Sequence, residues 1–238
     1  MDKTTLLITN EHGGNDIPAE YAHLFKDHTT TLATHRGFDL GIYSLAESFA
    51  HTLKAPLYKN NVTRLLVDTN RSLWRRSLFS EMTKPLSTAE KNKILDTYYH
   101  PHRQRIAQFI KEEINTGRKI LHIATHSFTP QLNGTPRQTD IGLLYNPERS
   151  NEKYISRLWK YALKEQLPDL RVRYNYPYRG KPDGLTAHFR KDYHNGHYVG
   201  IEMEVNQKYV QNSGHFSAKL RNDIVEAFQK AAERFHWL

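Results

Sequence analysis

Short apolar runs alternate with amphipathic stretches along the 238 residues of this chain. Leu6, Leu7 and Ile8 read as a buried strand that breaks into Glu11-His12-Gly13-Gly14-Asn15, where the glycine pair permits a tight turn. Ala19 to Arg36 is too mixed to assign. Phe38, Ile42, Leu45, Ala46, Phe49 and Leu53 recur at helical spacing and predict an amphipathic helix over 37–53. Asp39 falls in its first turn, where a carboxylate complements the helix dipole, so a structural role weighs at least as much as a functional one. Residues 55–58 and 62–67 are strand-like, and the second run ends in Asp68-Thr69-Asn70-Arg71. Ser72 to Pro85 reads as a loop folded over a site. Ser87-Thr88-Ala89-Glu90 has the capping-box pattern and opens a long helix, with Pro101 as its kink and Gly117 as its stop. His100 and His102 then fall on the helix surface.

Residues 119–126 predict another buried strand, with His122, Ala124 and His126 on one face. Short strands at 141–145 and 172–174 flank a helix over 151–167, and 176–184 is a turn-rich, basic loop suited to facing a substrate. The last strand, 198–206, puts Glu202 and Glu204 on one face and Ile201, Met203 and Val205 on the other. Two carboxylates within an apolar strand are costly to bury unless paired, protonated or metal-linked, which points to function. A helix over 216–235 closes the chain, and no internal repeat is present. The pattern is that of a single α/β domain over residues 1–238.

Composition narrows the function classes. Lysine and arginine outnumber aspartate and glutamate by 34 to 25, giving a formal charge of +9 and a pI near 9.5. That balance suits an acidic partner, but the basic residues are dispersed and no nucleic-acid signature accompanies them, so no nucleic acid is expected. The absence of cysteine excludes thiolate chemistry and leaves histidine, carboxylate or amide oxygen for any metal site. Met1-Asp2-Lys3 runs into the first strand without a charged leader and apolar region, and no apolar run approaches the roughly 18 residues that span a bilayer. A cytoplasmic protein without membrane contact is expected, its oligomeric state left open.

Candidate chemistry clusters at the predicted strand ends. In open α/β sheets ligands bind at the carboxyl edge, which makes His12 a metal ligand or a general base, with an exposed turn histidine as the plain alternative. Arg64, Asp68, Asn70 and Arg71 can converge where the chain leaves a strand. Guanidinium groups there hold a carboxylate bidentately, or they pair with Asp68 in a structural network. His126-Ser127 does not indicate a serine hydrolase, since strand neighbours face opposite ways and no nucleophile-elbow motif is present.

Together, Glu11-His12-Gly-Gly-Asn15-Asp-Ile-Pro18, Val67-Asp-Thr-Asn-Arg71, Thr125-His-Ser-Phe-Thr-Pro130, Asp140-Ile-Gly-Leu-Leu-Tyr-Asn146 and Gly200-Ile-Glu202 resemble the motifs of the N-formylglutamate amidohydrolase family, in order and over nearly the whole chain. That family is similar to zinc carboxypeptidases and to the aspartoacylase and succinylglutamate desuccinylase group. The resemblance implies a phosphorylase/hydrolase-like three-layer α/β/α sandwich with a central mixed sheet. It implies one zinc ion, or another divalent metal, held by His12 and His126 with Asn15 or Glu11 completing the set. Glu202 would then be the general base and Arg64 the group that polarises the scissile carbonyl, while Asn70 and Arg71, with Tyr178 and Arg179 of the basic loop, would bind the substrate. The implied activity is hydrolysis of an N-acyl acidic amino acid, N-formyl-L-glutamate first, as in histidine catabolism. Asn15 stands where the wider group has a glutamate, and Glu204 where the family pattern has an arginine, which leaves two rivals: a related amidase or peptidase with another acyl substrate, and a non-catalytic anion-binding protein.

Overall fold

A computed structural model describes residues 4–237; Met1 to Lys3, read above as lacking a leader, lie outside the described residues. The central sheet has six strands in the order β2-β1-β3-β8-β6-β7. They are β1 (Thr4–Asn10), β2 (Leu57–Lys59), β3 (Lys119–Phe128), β6 (Ile141–Leu144), β7 (Val172–Tyr174) and β8 (Tyr198–Asn206). The first four strands of that order run parallel, and β6 pairs antiparallel with β8, so the sheet is mixed. A separate two-stranded ribbon, β4 (Gln131–Leu132) and β5 (Thr135–Pro136), follows β3.

Alternation along the strands sends side chains into two layers. Ile8, Ile123, Ile201 and Met203 pack on one face against α2 (Ile42–Leu53), α5 (Ser150–Gln166) and α7 (Ala218–Glu233), where Trp159 sits edge-on to Phe49 and Phe228. Leu7, Ile120 and Tyr198 pack on the other face against α4 (His100–Asn115) and α6 (Leu185–Asp192). Each fully buried large apolar side chain contributes about 1.5–3 kcal/mol, so these two layers carry the fold. The result is the expected α/β/α sandwich.

A third apolar cluster forms the wall of a cleft at the carboxyl edge of the sheet. It draws on a 3-10 segment (Ala19–His28), α1 (Thr29–Leu32), the chain around Leu65–Val67, Leu78, Met82 and α3 (Thr88–Ile94). Here the structure departs from the strand expected over 62–67. After an isolated bridge at Val62 the chain turns, and Leu65, Leu66 and Val67 point into this cluster instead of joining the sheet. The unassigned stretch after residue 19 is thus the helical cover of the wall.

The predicted long helix is three pieces. The Ser87–Glu90 capping box starts α3, a π-helical stretch (Leu95–Tyr99) follows without a break, and Pro101 lies just after it at the start of α4. His102 is not on the surface: α4 turns it inward and leaves its Nε2 without a hydrogen-bond partner among the described residues. Gly13 and Gly14 serve close approach rather than an unusual turn, since a Cβ on Gly14 would sit 2.7 Å from the Asn61 carbonyl oxygen.

Candidate active site

The turn after β1, the end of β3 and the turn before α2 bring two histidines and one aspartate together. Asp39 Oδ2 lies 3.0 Å from His126 Nδ1 and 3.4 Å from His12 Nδ1. One donor atom from each of these three residues falls within 4.8 Å of the others, and all three side chains are buried. Asp39 reaches this position because Gly41, at φ 76°, caps α2 and keeps the preceding turn outside the helix.

The second nitrogen of each imidazole faces another buried carboxylate. His12 Nε2 donates to Asp68 Oδ1 at 2.7 Å, and His126 Nε2 lies 3.0 Å from Glu11 Oε2. Such a backing carboxylate fixes the tautomer of a ligating histidine and raises its basicity. Arg64 spans the two aspartates, 3.3 Å from Asp39 Oδ1 and 2.9 Å from Asp68 Oδ2, and so offsets part of their charge.

Burial alone would raise the carboxylates and lower the histidines, and in this cluster mutual pairing wins. His126 holds Glu11 down at about 2. Charge and hydrogen bonding from His12 and His126 hold Asp39 below the ordinary range, and Arg64 with His12 does the same for Asp68. In return, Asp39 and Glu11 hold His126 well above its ordinary value. Three buried acids thus converge on two imidazoles, and His12 Nδ1 has no hydrogen-bond partner among the described residues, a surplus of negative donors that a cation would complete.

Glu202 and Glu204 look into the same cavity, of about 290 Å³. Burial pushes both carboxyls up, Glu204 to about 8. Thr186 Oγ1 donates to Glu202 Oε1 at 2.6 Å, whereas Glu204 Oε2 has no hydrogen-bond partner among the described residues. The basic side of the cavity is made by Arg36, Arg64, Arg71 and Arg179, with Tyr178 and Asn70 also lining it. Asn70 is fixed by its Oδ1, which accepts from the Leu185 N–H at 2.6 Å, and its Nδ2 lies 3.4 Å from His126 Nε2.

Thus His12, His126, Arg64, Asn70, Arg71, Tyr178, Arg179 and Glu202 all line one cavity, although the chain places them far apart. Glu11 lies behind His126 rather than on the cavity wall, and Asn15 turns its amide to the Leu32 carbonyl, 3.1 Å away. The carboxylate that meets both imidazoles is Asp39. Its sequence signal was slight: an aspartate two residues before a glycine at a helix start.

Two solved structures share this architecture. A gene product of Agrobacterium tumefaciens superposes with a TM-score of 0.82 at 24% identity, covering 96% of this chain and 90% of that one. An N-formylglutamate amidohydrolase from Ralstonia eutropha JMP134 superposes with a TM-score of 0.70 at 16% identity, covering 97% and 93%. No curated protein matches the sequence. The family model for N-formylglutamate amidohydrolase matches residues 4–210, which contain every group in the cavity described above, and the chain accordingly belongs to the N-formylglutamate amidohydrolase family.

Proposed function

We propose that this chain is a metal-dependent amidohydrolase that cleaves the amide of an N-acyl acidic amino acid, with N-formyl-L-glutamate, giving formate and L-glutamate, as its first substrate. The observation that carries this reading is the pair of imidazole Nδ1 atoms converging on Asp39 Oδ2, each backed by a carboxylate, beside the buried Glu202 and Glu204. His12, Asp39 and His126 form a nitrogen and carboxylate donor set suited to zinc or a similar divalent ion. When bound, such an ion supplies a Lewis acid for the attacking water and the scissile carbonyl.

The chain's own groups do the rest. Glu202, at the family's glutamate position, takes the proton of the attacking water on its carboxylate and returns it to the leaving nitrogen. The Thr186 hydroxyl holds that carboxylate in place. Arg64, tied on one side to Asp39 and Asp68, offers fixed positive charge to the oxyanion. Arg71 and Asn70 hold the substrate carboxylate, and Arg179 and Tyr178 line the same cavity and complete the substrate contacts. The reaction would serve histidine catabolism, in keeping with the family.

The test is formate release from N-formyl-L-glutamate by zinc-loaded protein, with N-acetyl and N-succinyl amino acids alongside. Turnover of the formyl substrate alone supports the full reading. Turnover of another acyl amino acid keeps the amidohydrolase and replaces the substrate, and protein that neither binds metal nor turns over any of them overturns the proposal.

A further inference from the structure

A second cavity, of about 510 Å³, adjoins the first and shares Arg36, Arg64, Leu65 and Arg71 with it as a common wall. Its lining adds Arg76 and Lys84, together with the carboxylates Asp68 and Glu81. The shared cations are largely committed: Arg64 to Asp39 and Asp68, and Arg36 to Glu81. Arg71 lies 3.7 Å from Asp68 and 3.9 Å from Asp183, within range of both but close to neither. Arg76 and Lys84 have no carboxylate partner among the described residues and are exposed. Leaving like charges together around a concavity raises the local potential for an anion.

The segment that presents them is fastened rather than loose. Leu78, Met82 and Thr83 are buried, and the Asp68 N–H donates to the Leu78 carbonyl at 2.9 Å. Ser80 Oγ donates to the Leu65 carbonyl, and Arg75 reaches Asp183 at 2.9 Å. Arg76 and Lys84 therefore project from a braced wall, which lowers the entropy cost of using them in binding.

We propose that this second cavity is a substrate subsite for a further acidic residue, so that the substrates served best are N-acyl acidic peptides rather than single N-acyl amino acids. This rests on the proposed amide hydrolysis in the first cavity. There Arg71 holds the carboxyl end of the residue whose nitrogen is released, and Arg71 is also part of the shared wall. Extending that carboxyl end through a peptide bond carries the chain past Arg71 toward Arg76 and Lys84, a step of about 3.5 Å per residue. Water adds across the acyl C–N bond: its hydroxyl goes to the acyl carbon, its proton to the nitrogen, and the products are the free acid and an acidic peptide with a free amino group.

The experiment compares N-formyl-Glu with N-formyl-Glu-Glu on the zinc-loaded protein and on an Arg76→Ser/Lys84→Ser variant. The dipeptide should show a KM about tenfold lower than the single residue, as one charge-assisted contact supplies. The variant should lose that advantage and keep its rate on N-formyl-Glu. A dipeptide no better than the single residue, or an advantage that survives both substitutions, overturns the subsite. Titration calorimetry with triglutamate separates this from a failure of the proposed function. Salt-sensitive binding to the unaltered protein that the variant lacks supports the subsite even if no amide is cleaved, and equal binding by both proteins overturns it.

Discussion

Glu204 stands directly across from His126 in the parallel register of β3 and β8, while Glu202 stands across from Ala124, one pleat deeper. Both carboxyls therefore face the cavity, but with different surroundings. Burial pushes Glu204 up to about 8, which favours its neutral acid, whereas the Glu202 carboxyl is held by Thr186 in one orientation. Glu202→Gln should accordingly lower kcat by about two to four orders of magnitude, the range for a general base, with folding and metal content retained. Glu204→Gln replaces a neutral acid by a neutral amide of the same shape, so its rate should stay within about tenfold and its preference among acyl amino acids should change. Steady-state kinetics on both variants checks this; silence at 204 with turnover at 202 would exchange the two roles.

Metal content distinguishes the carboxylates and amides around His12. Asp39→Ala, like His12→Ala and His126→Ala, should lose most of its bound divalent metal after dialysis. Asn15→Ala should keep it, because that amide is bonded to the Leu32 carbonyl. Asp68→Asn and Glu11→Gln should weaken the metal by about 10- to 100-fold, the usual effect of losing the group behind a histidine ligand. Elemental analysis and competition with a chelator give both measurements, and stoichiometric metal in Asp39→Ala would exclude the proposed donor set.

Stability should rise with pH across the acid range because of His122. Burial pushes this imidazole down from 6.5 to about 4, and Thr9 Oγ1 at 2.8 Å and the Tyr198 hydroxyl at 2.7 Å occupy both ring nitrogens. Between these two values the unfolded chain binds a proton that the folded chain does not, so stability is lost as pH falls through that window. Removing one such group should flatten the dependence by about 1.4 kcal/mol per pH unit. Denaturant unfolding of the His122→Gln variant at a series of pH values checks the slope, and an unchanged slope would assign the acid sensitivity elsewhere.

The parts legible in the sequence were those encoded by local pattern. Alternation placed Glu202 and Glu204 on one face, the glycine-broken end of β1 exposed His12, and the apolar run over 119–126 delivered His126. Asp39 was not legible because its partners lie far off in sequence, and nothing local distinguishes a carboxylate in a first helical turn from one in the turn before it. Residues 62–67 misled for a related reason: an apolar run fits a strand or a packed turn equally, and only Tyr21, Phe25 and Leu78, supplied by other segments, decide for the turn. His102 was misread because the helix turns it inward rather than to solvent.

Gly184 offers a test of how tightly Glu202, the proposed general base, is seated. It precedes α6 at φ 123°, and a Cβ there would lie 2.5 Å from Glu202 Oε1 and 3.3 Å from Asn70 Oδ1. The next two residues hold those same groups, the Leu185 N–H bonding Asn70 and the Thr186 hydroxyl bonding Glu202. Gly184→Ala therefore forces the Glu202 carboxylate to move while leaving His12, Asp39 and His126 untouched. A displacement of about 1 Å at a reacting group costs on the order of 10²-fold in rate, so kcat should fall by that amount with metal content unchanged. Backbone strain from the positive φ costs about 1–3 kcal/mol of stability in addition. Gly117→Ala separates the two effects, because Gly117 also has a positive φ, 81°, but no atom within 4 Å of the added Cβ. Both variants should lose stability, read as a lowered Tm, and only Gly184→Ala should lose turnover; equal kcat in the two would mean that Glu202 tolerates displacement and that its seat beside Thr186 is not what sets the rate.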